Sequence, residues 1–186
     1  MRKLLFAILC MMVLGTACNK NEESLKTIDE ISIKQLQKHK DTFVGNNSAV
    51  GSIVNSLPGG FTNKEFELFN QSVKVKYHLN NHISTTSEEK LYAYWLSEGT
   101  LQKNFLYNAT AILILVKNAE KVTLELDAEK SYSFSISRAE LEKELPHPLT
   151  QYAENESLWK EEIVNNLMKQ DEKRQAFFKK YPIQQS

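Results

Sequence analysis

The sequence predicts an α+β fold: two β-hairpins form a mainly antiparallel four-stranded sheet packed with helices, followed by a C-terminal helical segment. Three observations carry this. Two pairs of short segments alternate apolar and polar residues about a turn, a long apolar run between them keeps helical phase, and helix caps mark several other segments.

Taken in order, Ile31, Ile33 and Leu36 in a Lys- and Gln-rich setting suggest a short helix. Val50, Ile53, Val54 and Leu57 then stand at i, i+3, i+4 and i+7, one face of a helix that Asn46 or Asn47 can cap and Pro58-Gly59-Gly60 stops. Glu65-Phe66-Glu67-Leu68 and Val73-Lys74-Val75-Lys76-Tyr77-His78-Leu79 read as strands, joined through Asn70-Gln71-Ser72. Thr86-Ser87-Glu88-Glu89 has the form of a capping box, opening a helix with Leu91, Tyr94 and Trp95 inward. Gly99 breaks it. Leu101, Phe105, Ala109, Ile112, Leu113 and Val116 follow at three- and four-residue steps; the run from Ala109 to Val116 alone would also suit a buried strand, but the phase from Leu101 favours a buried central helix.

Val122, Leu124 and Leu126 alternate, Asp127-Ala128-Glu129-Lys130 turns, and Tyr132, Phe134 and Ile136 alternate again, a second hairpin. Ser137-Arg138-Ala139-Glu140 is another capping box, with Leu141 and Leu145 inward, and Pro146-His147-Pro148 ends that helix. Trp159, Ile163 and Leu167 mark a further helix before a charged stretch with Phe177, Phe178 and Tyr181. These aromatics are expected to dock on the domain; contact of Lys173, Arg174, Lys179 and Lys180 with an anionic membrane surface is the lesser alternative.

The start of the chain says more about location than the rest says about chemistry. Arg2 and Lys3 precede an unbroken apolar run from Leu4 to Leu14, and the small residues Gly15, Thr16 and Ala17 lead to Cys18. A charged start, a short apolar stretch and a small-residue exit make a secretory signal peptide. That run rises only about 16 Å, short of a ~30 Å hydrocarbon core, so a retained spanning helix is not expected. Leu14-Gly15-Thr16-Ala17-Cys18, with the polar Asn19-Lys20-Asn21-Glu22-Glu23-Ser24 behind it, resembles a bacterial lipoprotein signal. The resemblance implies cleavage before Cys18 and acylation of its thiol; ordinary cleavage after Ala17 with simple secretion is the alternative. Cys10 leaves with the leader, so the mature chain keeps one thiol, at its first residue, and acylation would remove a lone reactive group. Two acyl chains on one residue give stable attachment where one would not. The expected organisation is a lipoprotein signal over 1–17, a lipidated Cys18 and polar tether over 18–27, an α+β domain over 28–145 and a helical extension packed on it over 146–186. The location expected is the extracytoplasmic face of a cell membrane.

The 186-residue chain carries 23 basic and 23 acidic residues, a formal net charge of zero. A nucleic-acid binder held by phosphate neutralisation needs a basic excess, so nucleic acid is not an expected partner. The 41% of hydrophobic residues excludes an acidic disordered chain. With no disulfide to staple it, the fold must rest on its core.

Phe43-Val44-Gly45-Asn46-Asn47-Ser48-Ala49-Val50-Gly51, running on through Ile53-Val54-Asn55-Ser56-Leu57-Pro58, resembles the opening of a family of bacterial domains of unknown function, number 4825. Asn108-Ala109-Thr110-Ala111-Ile112-Leu113, leading into Val122-Thr123-Leu124, is similar to its closing helix and strand. The likeness covers about 35–127. It implies an extracytoplasmic module, found on small lipoproteins and attached to some membrane metallopeptidases of the antirepressor type. It brings no activity and no catalytic residues, and the chain has no His-Glu-x-x-His helix of its own.

Catalytic patterns are weak. Ser-x-x-Lys occurs at Ser87–Lys90 and Ser157–Lys160, as chance allows, without Ser-Asp-Asn or Lys-Thr-Gly to complete a penicillin-recognising site. His78 and His82 are four apart but on a strand end and a loop, so neither a metal nor any other cofactor is expected. Glu65 with Glu67, and Glu125 with Asp127, occupy the outward phase of strands, where a solvated face is expected rather than an acid–base pair. The Gly45-Asn46-Asn47-Ser48 turn offers exposed amides and is a weak candidate ligand site beside its capping role.

The expectation is therefore a membrane-anchored, non-enzymatic binding or sensing module. Its partners would be membrane lipid, through acylated Cys18, and a membrane protein or envelope component. A small cell-envelope hydrolase with a loop-built site is the alternative, and a structural stabiliser of a membrane complex a third possibility.

Overall fold

A computed structural model describes residues 25–80 and 86–186. After a 3₁₀ turn at Ile28–Glu30 come α1 (Ile33–Leu36), α2 (Asn47–Ser56), β1 (Lys64–Phe69) and β2 (Ser72–His78). Next are α3 (Glu88–Leu96), α4 (Thr100–Leu115), β3 (Lys121–Asp127), β4 (Ser131–Ser137), α5 (Arg138–Glu144) and α6 (Leu149–Glu154). The chain ends with α7 (Glu156–Leu158) running on as a π-helix (Trp159–Met168), then α8 (Asp171–Lys180) and β5 (Gln184–Gln185).

The α+β class and both hairpins stand as the sequence suggests. The sheet is larger and mixed: five strands in the order β1-β2-β3-β4-β5, with β2 and β3 parallel and the other pairs antiparallel. A parallel pair needs a long crossover, and α3 with α4 supplies it. The fifth strand comes from the end of the chain: Gln184 and Gln185 pair with Ser133 and Tyr132, and Ser186 exchanges backbone hydrogen bonds of 3.0 Å with Ser131.

Register carries the alternation across the sheet. Phe66, Val75, Leu124 and Phe134 form one inward row, and Leu68, Val73, Val122 and Ile136 another. The outward rows are Glu65, Lys76, Glu125 and Ser133, and Glu67, Lys74, Thr123 and Ser135. Helices cover the inward face. Every residue of α4 from Asn104 to Leu115 is buried, because this helix lies between β3 on one side and α2, α3, α6 and the π-helix on the others.

The first hairpin turns on Asn70 (φ 45°) and Gln71 (φ 60°), a two-residue loop with both central residues left-handed, as the twist of paired strands favours. Ser137 and Glu140 make the capping box expected at the start of α5. At α3 the cap lies one residue later than the sequence suggests: the Ser87 side chain accepts from Lys90 N at 3.4 Å.

The extension after residue 145 is part of the same core. Trp159, Ile163, Met168, Phe177 and Phe178 are buried with the sheet residues. Phe134 of β4 lies 5.4 Å from Phe178 and 6.4 Å from Phe105, ring centre to ring centre, so α8 and α4 meet over one strand. Phe177 and Phe178 therefore dock on the domain.

Candidate functional site

Cys18 and His82 lie outside the described residues. The Gly45–Ser48 turn is described, and its groups are largely engaged in starting α2. Asn46 N–H donates to Phe43 O at 2.9 Å, the Asn46 side chain accepts from Ala49 N at 3.1 Å, and Val50 N–H donates to Asn46 O at 3.0 Å. Asn46 is thus the cap and Asn47 the first helical residue. The preceding Val44 N–H is fixed by Asn118 Oδ1 at 2.8 Å. Beside the turn, Phe43 is 48% exposed, with the Lys117 ammonium 4.5 Å from its ring centre.

The open face of the sheet holds the densest charge. Lys74 Nζ lies 3.1 Å from Glu125 and Lys76 Nζ 3.4 Å from Asp127. His78, at the end of β2, stands between two carboxylates: Nε2 is 3.3 Å from Glu65 Oε1 and Nδ1 is 3.3 Å from Asp127 Oδ2. Asp127 reaches it because β2 and β3 run parallel with His78 beside Asp127. Sequence reading places each of these residues on an outward strand face but not this pairing, since the partners are 49 residues apart. Within the cluster Glu65 is exposed and Glu125 and Asp127 are half-buried, so solvent reaches these pairs, screens them and keeps them worth under about 1 kcal/mol each. Glu67 joins it only at one remove, directly opposite Lys74. Among the described residues, no group of three His, Cys, Asp or Glu side chains is placed to hold a metal ion.

A cleft of ≈ 270 Å³ lies where the chain enters the domain, lined by Thr27, Ile28, Tyr94, Lys103, Asn104 and Lys169. The Tyr94 hydroxyl donates to Lys26 O at 2.7 Å, and Lys169 closes on Asp29 at 2.7 Å, so the end of the expected tether and the residues after it are clamped onto α3 and the end of the π-helix. Burial lifts the Tyr94 hydroxyl to about pKa 12, so it stays a donor across the neutral range. Asn104 is 3% exposed and its Nδ2 makes no hydrogen bond. Nothing in the sequence signals this cleft, which is assembled from three distant segments.

The geometry defines a sheet-and-helix module with one face packed and one face open and charged. The family described as a domain of unknown function, DUF4825, matches residues 36–137, more than half of the 186-residue chain. The chain belongs to that family. The match reaches ten residues beyond the stretch whose likeness is legible in the sequence, and so takes in β4. No curated protein and no solved structure matches the chain.

Proposed function

We propose that this protein is a lipid-anchored, non-enzymatic extracytoplasmic module of the bacterial envelope whose work is binding. The observation that carries the anchoring is the charged start, apolar run and small-residue exit before Cys18. Acylated Cys18 would hold the domain to membrane lipid through the short polar tether ending near Lys26. Two features support binding rather than turnover: the strongest polar cluster is ion-paired on an open face, and among the described residues nothing covers that face or the β1 edge, which suits a membrane protein or envelope component. Tethering raises the local concentration of the module at the membrane without changing its intrinsic affinity. Among the described residues, no helix is long and apolar enough to cross a membrane.

Mass spectrometry of the chain recovered from membranes tests the anchor. Residues 1–17 should be absent and residue 18 should carry the diacylglyceryl mass; Cys18→Ser should move the protein out of the membrane fraction. A bare thiol at residue 18, or an unchanged location for the variant, overturns it.

A second reading, a small envelope hydrolase, is favoured by one observation: His78 between Glu65 and Asp127. It requires turnover of a cell-wall or peptide substrate that disappears with His78→Ala and is altered by substitution of His82 or Glu67. Turnover indifferent to all three removes this reading.

A further inference from the structure

The two edges of the sheet are treated differently. β5 and Ser186 cover β4 from Ser131 to Ser133, while β1 has no strand on its outer side among the described residues. The polarity of that edge follows from one bond. His78 N–H donates to Asn63 O at 2.8 Å, which sets Asn63 as an inward-bonded position. Counting along β1 in twos, Glu65, Glu67 and Phe69 also bond inward to β2, so Lys64, Phe66 and Leu68 turn their N–H and C=O groups outward. Three such residues can exchange about six hydrogen bonds with an antiparallel strand.

Natural edges are usually blunted by lysines, proline, bulges or brevity. β1 has six residues, no proline and an unbroken register with β2. Its one lysine is turned away from the edge: Lys64 Nζ donates to the carbonyls of Gly60 and Thr62. Apolar surface remains instead, with Phe69 72% and Phe66 36% exposed, the latter resting against Gly51 of α2. The charge that does flank the edge is acidic. The Glu65 side chain is 64% exposed, and Glu67 is exposed two residues on along the same face.

We propose that β1 accepts an extended peptide segment of a partner protein as a sixth strand, and that this segment places Lys or Arg opposite Glu65 and Glu67 with an apolar residue between them over Phe66. A second copy of this chain is the poorer occupant. With both helical layers on one side, antiparallel registers centred on Phe66 or on Glu67 set Glu65 against Glu67, or Glu67 against itself, and like charges directly opposite are unfavourable. The proposal rests on the reading of the chain as a binding module and not on acylation of Cys18.

The test titrates the full chain in detergent with a blocked Lys-Val-Lys-Val-Lys-Val peptide and with its Glu-Val counterpart, following anisotropy and amide exchange. The basic peptide should bind about ten-fold more tightly at low salt, and should slow exchange at Lys64, Phe66 and Leu68. Glu65→Gln with Glu67→Gln should erase the preference. Leu68→Pro removes an outward N–H and should abolish binding; because that variant could also fail to fold, a basic peptide N-methylated along its bonding edge should fail equally against the unaltered protein. Equal binding of both peptides, or protection elsewhere, overturns the proposal, as does self-association that protects the same three amides without peptide. The binding-module reading fails by a different signal, turnover of a cell-wall or peptide substrate that is lost with His78→Ala, which leaves peptide-induced protection at β1 untouched.

Discussion

Trp95 lies so close to Gly59 that a Cβ on that glycine would stand 2.2 Å from indole Cζ2. The indole is itself fixed: its N–H donates to Thr62 Oγ1 at 2.8 Å, and its ring centre is 4.7 Å from Tyr77 and 6.2 Å from Phe105. It cannot retreat without disturbing β2 and α4. Gly59 also holds φ +72°, a conformation that costs a side-chain-bearing residue on its own. Gly59→Ala is therefore expected to destabilise by about 3 kcal/mol or more, read from urea unfolding followed by tryptophan fluorescence.

The turn between β1 and β2 predicts the opposite sign. Gln71 sits at φ 60° in a two-residue loop, where glycine is the residue most at ease, and Asn70 already provides the first left-handed position. Only the Gln71 backbone is used, its carbonyl accepting from Glu120 N at 2.7 Å. Gln71→Gly should raise stability by about 0.5–1 kcal/mol, seen as a higher melting temperature with an unchanged far-UV spectrum.

Both hairpins were legible because a half-buried strand must alternate, and these strands do so apart from Phe69, which blurs the pattern at the end of β1. The central helix was legible because the helical phase that begins at Leu101 continues into the apolar run from Ala109 to Val116, which alone would also suit a buried strand. What the sequence does not reveal is pairing at a distance. The parallel contact of β2 with β3 depends on how α3 and α4 cross the sheet, and the meeting of His78 with Asp127 follows from it. β5 has two glutamines and no alternation to announce it. The π-helix was not legible either: Trp159, Ile163 and Leu167 stand at i, i+4 and i+8, which an α-helix also presents on one face. Of the candidate site residues, Asn46 is explained as a helix cap, and the acidic edge at Glu65 and Glu67 was legible only as an outward face.

Arg138 closes the end of the central helix. Its Nη2 donates to Leu113 O at 2.7 Å and Val116 O at 3.0 Å, and its Nε to Ala119 O at 2.9 Å. The Leu113 carbonyl belongs to the last turn of α4, where helix carbonyls lack a helical donor, the other two lie just beyond it, and a cation there also suits the helix dipole. Arg138→Met should cost about 2–3 kcal/mol, and Arg138→Lys should restore only part of it, because a single ammonium cannot span the three acceptors. Paired denaturation curves of the two variants check both statements.

Alkaline pH should unfold the protein in a window set by its tyrosines. Burial raises the Tyr94 hydroxyl to about pKa 12 and pushes Tyr77 and Tyr107 up as well. A folded-state value above the unfolded value of about 10 means the unfolded chain gives up its proton first as pH rises. The stability tied to these groups is complete below pH 10 and is lost as pH climbs through the folded values. The melting temperature should fall from about pH 10 upward, with tyrosinate absorbance near 295 nm rising together with unfolding. Gradual tyrosinate formation in a chain that remains folded would show these hydroxyls to be open to solvent.

The C-terminal extension lies beyond the family match at residue 137 and yet completes the core. Phe177 and Phe178 are 3% and 7% exposed, Trp159 is fully buried, and Tyr152 lies against the core below α4. Removing 146–186 would uncover the Phe134 side of β4 and strip β5 from its edge, leaving a seven-residue strand with one apolar face bared and an edge open to pairing with other chains. A chain ending at Leu145 is therefore expected to aggregate or to lose cooperative unfolding. Phe178→Ala in the full chain should keep the fold and cost about 3–4 kcal/mol. Calorimetry of both separates a packed core element from an appendage, since an appendage could be removed with the main transition intact.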